Sequence, residues 1–503
     1  MSHDAAQHNR SGVQLAKAGT AGAYFTHNGV PLLSFGGGSD FIFYAAEDAF
    51  NYKRWADWAA EHGINHLRAY PPLSWKHIEK FTHENGGRRD GMLFPYQETS
   101  PGSRQFDLTQ FHPAYWTRFR EQCEYLQSRG IVIHLLMWNG WQLRDNGLDW
   151  QGHFFNPENN VNSFTNHLGG DVENRLTLYH SVADEVTGLV NAQKAWFYKL
   201  IEETHDLDNV YFDLVHEIAE HCGEWSKTQQ WIDEIAQSVR SRWAELTPDR
   251  PIVLGMDAGG IDSVADGARD WLFSRPYFDV AIWGKVHKVE QARAWREKYK
   301  KPYIGQESWD DNGVKYSYRV PQQRVGARKY FWKFMMAKCQ QMDLYYKPRV
   351  YRNVSNPEGY DHNYDPIGWN PFEDDALVLR KFWNRLVDYP NLWFNGGVQT
   401  GPGTHQYVLS SEVEAVAYCS SATGEENAHY KSQSLKLRDL ALNDGHYTVE
   451  ITSPVTGIME TGSVSVKTGA LELILPAFTD DIVVHIHLAM ARSGDELTAH
   501  RCF

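Results

Sequence analysis

The stretch NVYFDLVHEIAEH at 209–221 decides how the rest of the chain is read. Val210, Tyr211, Phe212 and Leu214 make a short, nearly continuous apolar run, the pattern of a strand covered on both faces in a parallel sheet. Directly after it come His216, Glu217, Glu220 and His221. Ionisable side chains just past the C-terminal end of a buried strand suit the upper rim of an α/β barrel, where such folds keep their chemistry. KPYIGQESWD at 301–310 repeats the arrangement, an apolar run at 302–304 leading to Glu307 and Trp309.

On either side of these segments, strand and helix signals alternate. Towards the N-terminus, Asn28-Gly29 marks a hairpin, and 31–35 suits a first barrel strand released into the Gly36-Gly37-Gly38 loop. Phe50, Trp55, Trp58 and Ala59 recur at helical spacing over 47–62, with Gly63 as the stop. The second strand, 64–67, leads to Arg68, and the third, 131–138, carries His134, Trp138 and Asn139 towards the upper face. Beyond 209–215 come strands at 251–255, ending at Met256 and Asp257, and 277–287, presenting Trp283 and His287. The last two are at 302–305 and 342–346. Strand–helix units repeated in this way imply a (β/α)8 TIM barrel, hence α/β class. Two long insertions, 72–112 and 142–183, leave the catalytic face. Past about residue 400 the period switches from helical to alternating, as in GHYTVEITSP and DIVVHIHLA, which implies an antiparallel β-sandwich. The expected division is a flexible arm at 1–20, the barrel at 21–398, the sandwich at 399–490 and a tail at 491–503.

Composition agrees with two domains. The chain has 503 residues, an apolar fraction of 42%, and 19 Trp, 26 Tyr and 24 Phe, enough for a large core with rings left over for a ligand cleft. A formal charge of −14 without a basic run argues against nucleic acid and anionic membranes as partners. No stretch is long and apolar enough to span a bilayer. Five scattered cysteines without a CxxC pair argue against a disulfide framework. The opening residues lack an apolar secretory core, so a cytoplasmic location is expected. The sequence does not set the oligomeric state.

Two carboxylates at the mouths of two barrel strands are the equipment for glycoside hydrolysis, in which one protonates the leaving oxygen and the other attacks carbon or activates water. Glu217 and Glu307 fit those places, which makes a carbohydrate the expected substrate. The strand motifs then carry a resemblance. NVYFDLVHE resembles the N-V-x-[YF]-E-[LI]-x-N-E strand of the retaining (β/α)8-barrel glycoside hydrolases of clan A, KPYIGQES their K-P-[VI]-x-x-x-E strand, and GINHLRAY their G-x-N-x-[VIL]-R strand. HNGVPLLSFGGG and GHYTVEITSPVTG also resemble cellulase-like bacterial members. The resemblance implies Glu217 as acid/base, Glu307 as nucleophile and Arg68 as the brace of that nucleophile. It also implies a retaining glycosidase that needs no cofactor or metal. His134, Trp138, Asn139, His216, Trp283, His287 and Trp309 are the further candidate substrate contacts.

One position departs from the pattern: His216 stands where that superfamily carries the asparagine that bonds the sugar 2-hydroxyl. The imidazole either supplies the same donor or turns into the barrel wall towards Asp257 or a backbone carbonyl. Two other functions remain open. HEIAEH lacks the H-E-x-x-H spacing of a zinc protease, but His134, His287 and Asp257 could build a barrel-centre metal site of the amidohydrolase type, although the H-x-H of that class is missing. A non-catalytic carbohydrate-binding protein would instead hold Glu217 and Glu307 too far apart to react.

Overall fold

The computed structural model describes residues 12–19, 22–38, 42–44, 51–84, 92–144, 147–169, 172–283, 289–305, 324–344, 371–395, 397–399, 404–421 and 427–488. Glu307, Trp309 and His287 lie outside them. Among the described residues no helix is long and apolar enough to cross a membrane.

The chain opens with a small antiparallel sheet of β1 (Val13–Ala18), β2 (Gly22–His27) and β3 (Val30–Pro31), turned at Asn28-Gly29 with positive φ at both residues. The expected arm at 1–20 is therefore a strand from Val13 onward. The reason is apolar: Val13 and Phe25 are buried with Leu32 against Val132, Tyr211, Val253, Val280 and Ile304 of the barrel strands. Phe25 packs edge-on to Tyr211 at 5.1 Å, and its N–H donates to Gln340 Oε1 at 2.7 Å. The sheet plugs the end of the barrel opposite the site.

The barrel is closed and parallel. Its strands are β4 (Ser34–Gly38), β5 (His66–Ala69), β8 (Val132–Leu136), β9 (Val210–Asp213), β10 (Leu254–Asp257), β11 (Val280–Trp283), β12 (Tyr303–Gly305) and β13 (Cys339–Leu344), with β13 pairing back onto β4. All eight expected strands are present. Gly36-Gly37-Gly38 form part of β4 rather than a loop after it, paired with His66, Leu67 and Arg68. A Cβ on Gly36 would lie 2.1 Å from the His66 carbonyl oxygen, so the strand closes only around glycine. The eighth strand starts at Cys339, earlier than expected, because the turn at Lys338 has positive φ.

Both long insertions fold onto each other. The first contains a helix (Trp75–Glu84) and the hairpin of β6 (Tyr96–Glu98) and β7 (Phe106–Phe111). It meets the second through Ser74–His153 and Phe106–Asn160 bridges and a buried His77–Asp149 contact of 2.7 Å. The NPENNVN segment is a set of asparagine staples. Asn156, Asn159 and Asn160 donate to the carbonyls of Trp150, Gln151, His153 and Phe154, and Asn162 accepts from the Leu108 N–H. Loops so satisfied can be buried and shaped without regular structure.

The C-terminal unit is the expected antiparallel sandwich. A five-stranded sheet runs β15 (Thr404–Ser410), β16 (Glu414–Ser421), β23 (Asp481–Leu488), β19 (Gly445–Ser453) and β20 (Gly457–Val466). It faces a three-stranded sheet of β14 (Gly397–Gln399), β18 (Gln433–Arg438) and β21 (Leu471–Leu475). Strand alternation divides the large sheet. Ala415, Ala417, Ile482, Val484 and Ile486 fill the sandwich core, while Val416, Tyr418 and Val483 join the barrel's own core. Trp332 of the helix Arg324–Met336 stacks on Tyr418 at 5.9 Å. Arg328 of the same helix makes a buried double contact with Asp481 at 2.8 and 3.2 Å. The sandwich is thus fused to the barrel through a buried interface that combines apolar packing with ion pairing.

Candidate active site

Inward-facing residues of the barrel change character along its axis. The plugged end is apolar, and the next layer is polar, formed by His66, Arg68, His134, Asp213, Asp257 and Gln341, all buried. His134 stacks flat on Tyr211 at 4.7 Å, contacts Gln341 Nε2 at 3.1 Å through Nδ1, and has Asp213 at 4.0 Å. Burial, with the nearby ring of His66 and the Arg68 charge opposing a second cation, holds His134 far below the ordinary histidine range. Burial and Arg68 likewise push His66 down to about 3. Both rings are therefore neutral, and Arg68 supplies the positive charge of this layer.

Above it, the β8 and β9 backbones continue to pair beyond the strand ends. The Met137 N–H donates to Asp213, the His216 N–H to Trp138 at 2.9 Å, and the Gly140 N–H to His216 at 2.7 Å. This extended ladder fixes the loop that carries Glu217. Gly140 lies so close to it that a Cβ would stand 2.7 Å from the Glu217 carbonyl oxygen and 2.9 Å from that of His216. Glu217 itself has φ of 50°, a left-handed conformation that costs a branched-free side chain about 1 kcal/mol. Its N–H donates to Asp257 Oδ2 at 3.3 Å. Its carboxylate is 28% exposed and lies 3.5 Å from Arg144, whose guanidinium covers the Trp141 ring at 5.0 Å.

His216 takes the second of its two anticipated orientations. It is buried, with Nδ1 3.1 Å from Asp257 Oδ2. Burial alone would lower its pKa, but the Asp257 contact and the Glu217 and Asp257 charges outweigh it and raise the ring to about 9. Asp257 is held ionised against its own burial by His216 and by the Gly259 and Glu217 amides. Asp257 in turn is fixed from below, its N–H donating to Asp213 Oδ1 at 3.0 Å. An ion pair beneath Glu217 is the result.

The structure brings Glu217, His216 and Asn139 together and leaves three other expected contacts elsewhere. The Asn139 backbone bridges to His216, and its buried amide has no hydrogen-bond partner among the described residues. His134 sits below the mouth, inside the polar layer. Trp138 is core: it packs on Phe155, Phe197 and Trp231 and donates to the Tyr179 hydroxyl at 3.1 Å. Trp283 faces outward by strand alternation, against Trp295 at 4.8 Å and under Arg269. Arg68 lies in the C-terminal half of β5, next to His134 in register. The expected Arg68–Glu307 contact and the roles of Glu307, Trp309 and His287 fall outside the described residues. Gly140, Arg144 and Asp213 escaped the sequence reading. An i+1 glycine after an expected site residue was the signal available for Gly140.

No family model matches the chain, and a search of curated proteins finds no significant match. Solved structures do match. One described as a glycoside hydrolase is 11% identical with a TM-score of 0.58, covering 96% of this chain and 98% of its own. A glycoside hydrolase family 5 protein from Bacteroides vulgatus is 12% identical with a TM-score of 0.57, covering 94% and 93%. At such identities the likeness is one of fold, and it extends over the barrel and the sandwich together.

Proposed function

We propose that the protein is a retaining glycoside hydrolase acting on O-glycosidic bonds, with Glu217 as acid/base and Glu307 as nucleophile. The observation that carries this reading is the Glu217 loop. A half-buried carboxylate at the C-terminal mouth of the fourth barrel strand is held in a strained backbone by two neighbouring strands and an ion pair. Strain maintained by so many contacts is characteristic of functional positions. Glycoside hydrolases among the solved structures of the same two-domain fold support the substrate class. The unspent Asn139 amide beside Glu217 is the kind of group that a sugar hydroxyl would satisfy.

In this mechanism the Glu217 carboxyl protonates the glycosidic oxygen while Glu307, which follows β12 in sequence, attacks the anomeric carbon. Glu217, now a carboxylate, then takes a proton from the water that releases the sugar. The interlocked 72–112 and 142–183 insertions favour a pocket, and hence exo action or short oligosaccharides. The test uses aryl glycosides. Glu307→Gln should abolish turnover, a loss of about 10³-fold or more. Glu217→Ala should keep the first step with good leaving groups and regain turnover with added azide, giving a glycosyl azide of retained configuration. An azide product of inverted configuration, or full activity in either variant, overturns the assignment. Early mid-length fragments from a long polymer would overturn exo action alone.

A further inference from the structure

We propose that Glu450, His485 and His487 form a binding site for a divalent transition-metal ion, zinc by ligand type, at the polar end of the sheet that meets the barrel. Register puts the three side chains on one face. Glu450 of β19 pairs directly with His485 of β23, and His487 is the next residue on that face of the same strand. The two imidazoles lie 4.7 Å apart. One ligand atom from each of the three residues falls within 4.8 Å of the others. His485 Nδ1 is 3.6 Å from Glu450 Oε2. A tetrahedral zinc ion bonds such atoms at about 2.0–2.2 Å and so holds them about 3.4 Å apart. That edge is nearly formed, and rotation of the half-buried His487 closes the rest.

The surroundings point to a metal more directly than the ligands do. In metal sites the second ring nitrogen of each histidine is oriented by a carboxylate or a backbone carbonyl, and both arrangements are present. His485 Nε2 faces Glu414 Oε1 at 2.6 Å. That carboxylate is itself fixed by the Val387 and Asp388 N–H groups at 2.7 and 2.6 Å. His487 Nδ1 faces the Leu488 carbonyl at 3.0 Å. His487 Nε2 is then the open nitrogen, while His485 lies between the Glu414 and Glu450 carboxylates, so a metal entering at Nδ1 would displace its proton. That Nδ1 is fully buried and points at Glu450 Oε2, 3.6 Å away. Arg385 Nε donates at 2.9 Å to Oε2, the same Glu450 oxygen that His485 Nδ1 faces, so an ion would share that oxygen with the guanidinium or take the other one. Two imidazoles and one carboxylate with an open position favour zinc over calcium or magnesium. A bound ion would tie β19 to β23 and, through Glu414, to the 387–388 turn on the barrel side.

Isothermal titration of chelator-treated full-length protein with Zn2+ tests this. Wild type should bind one equivalent in the micromolar range or tighter and gain several degrees in Tm. His487→Ala should lose both effects, and Glu450→Gln should bind at least tenfold more weakly. His446→Ala, which removes an exposed histidine on the same sheet, should behave as wild type. Co2+ should give visible d–d bands in wild type that vanish in His487→Ala. His487 is partly exposed and outside the packed interface, so that variant folds whatever happens to Glu450→Gln. Absence of saturable Zn2+ binding to wild type, or unchanged binding by His487→Ala, overturns the site.

Discussion

Two buried ion pairs in this molecule put an aspartate against a cation, and they behave in opposite ways. At the barrel mouth, Asp257 is pulled below its ordinary range although it is buried. At the junction with the sandwich, burial raises Asp481 above the usual aspartate value, and the Arg328 charge only partly reverses this. The difference lies in the other donors. Asp257 accepts the Gly259 and Glu217 amides as well as facing His216. Asp481 relies on the Arg328 fork and the Tyr418 hydroxyl, the latter at 3.1 Å. Amide donors cost no ordering at the moment of ionisation, so a carboxylate that receives them stays charged in a dry site. The mouth holds a preorganised anion beneath Glu217. The junction holds a pair whose desolvation is barely offset.

The largest expected effect comes from breaking the junction. Asp481→Asn strands a guanidinium that cannot deprotonate, and should cost about 3–5 kcal/mol of stability while leaving kcat unchanged. Arg328→Met should cost less, because Asp481 can take a proton. Its raised folded pKa means the native state binds more protons than the unfolded one. Stability of this variant should therefore rise as pH falls towards 4 and decline as pH rises. The double variant Arg328→Met/Asp481→Leu should lie within about 1 kcal/mol of wild type. Urea unfolding of the set checks this, and a double variant as unstable as Asp481→Asn would show that the pair is a net source of stability.

Breaking the mouth pair should read out in rate. His216→Asn or Asp257→Asn frees the Glu217 loop, and kcat/KM should fall about 10²-fold by a similar factor for every glycoside. A change of ranking among sugars would instead make His216 a direct substrate contact. The pH dependence has a definite sign. The ring rises from an ordinary value of 6.5 to about 9, so its stabilisation is complete below about 6.5 and is lost as pH rises through 9. The stability gap between wild type and His216→Asn should close over that window. A gap that persists above pH 10 would contradict a charged histidine.

What the sequence made legible follows from the same contrast. Strands such as VYFD and VIHLL were readable because burial on both faces demands continuous apolar runs, and Glu217 because a carboxylate after such a run stands out. Cys339–Leu344 was blurred at its start. Gln340 and Gln341 look helical or exposed, yet their amides serve Phe25, Tyr389 and His134 inside the fold. Trp138 and Trp283 read as cleft residues from sequence because a ring at a strand end can turn either way, and the sequence alone does not say which. The Asn156–Asn162 staples and the Asp213–Asp257 link are tertiary, and no local pattern encodes them.

Gly140 offers the smallest and sharpest probe of the mouth. A methyl group there meets the Glu217 and His216 carbonyls at 2.7 and 2.9 Å, distances that real Cβ atoms do not tolerate. The backbone atoms it meets belong to a ladder already fixed by the Gly140 and His216 N–H groups, so the strain should fall on the Glu217 loop. Gly140→Ala should therefore displace the carboxylate by some tenths of an ångström. The expected cost is about 1–2 kcal/mol of stability and about tenfold in kcat, with KM little changed, since a misplaced acid hurts the transition state more than ground-state binding. Pairing it with His216→Asn sharpens the test. If both act by releasing the same loop, their effects on kcat should be less than additive. Full additivity would mean that Gly140 and the His216–Asp257 pair position Glu217 independently.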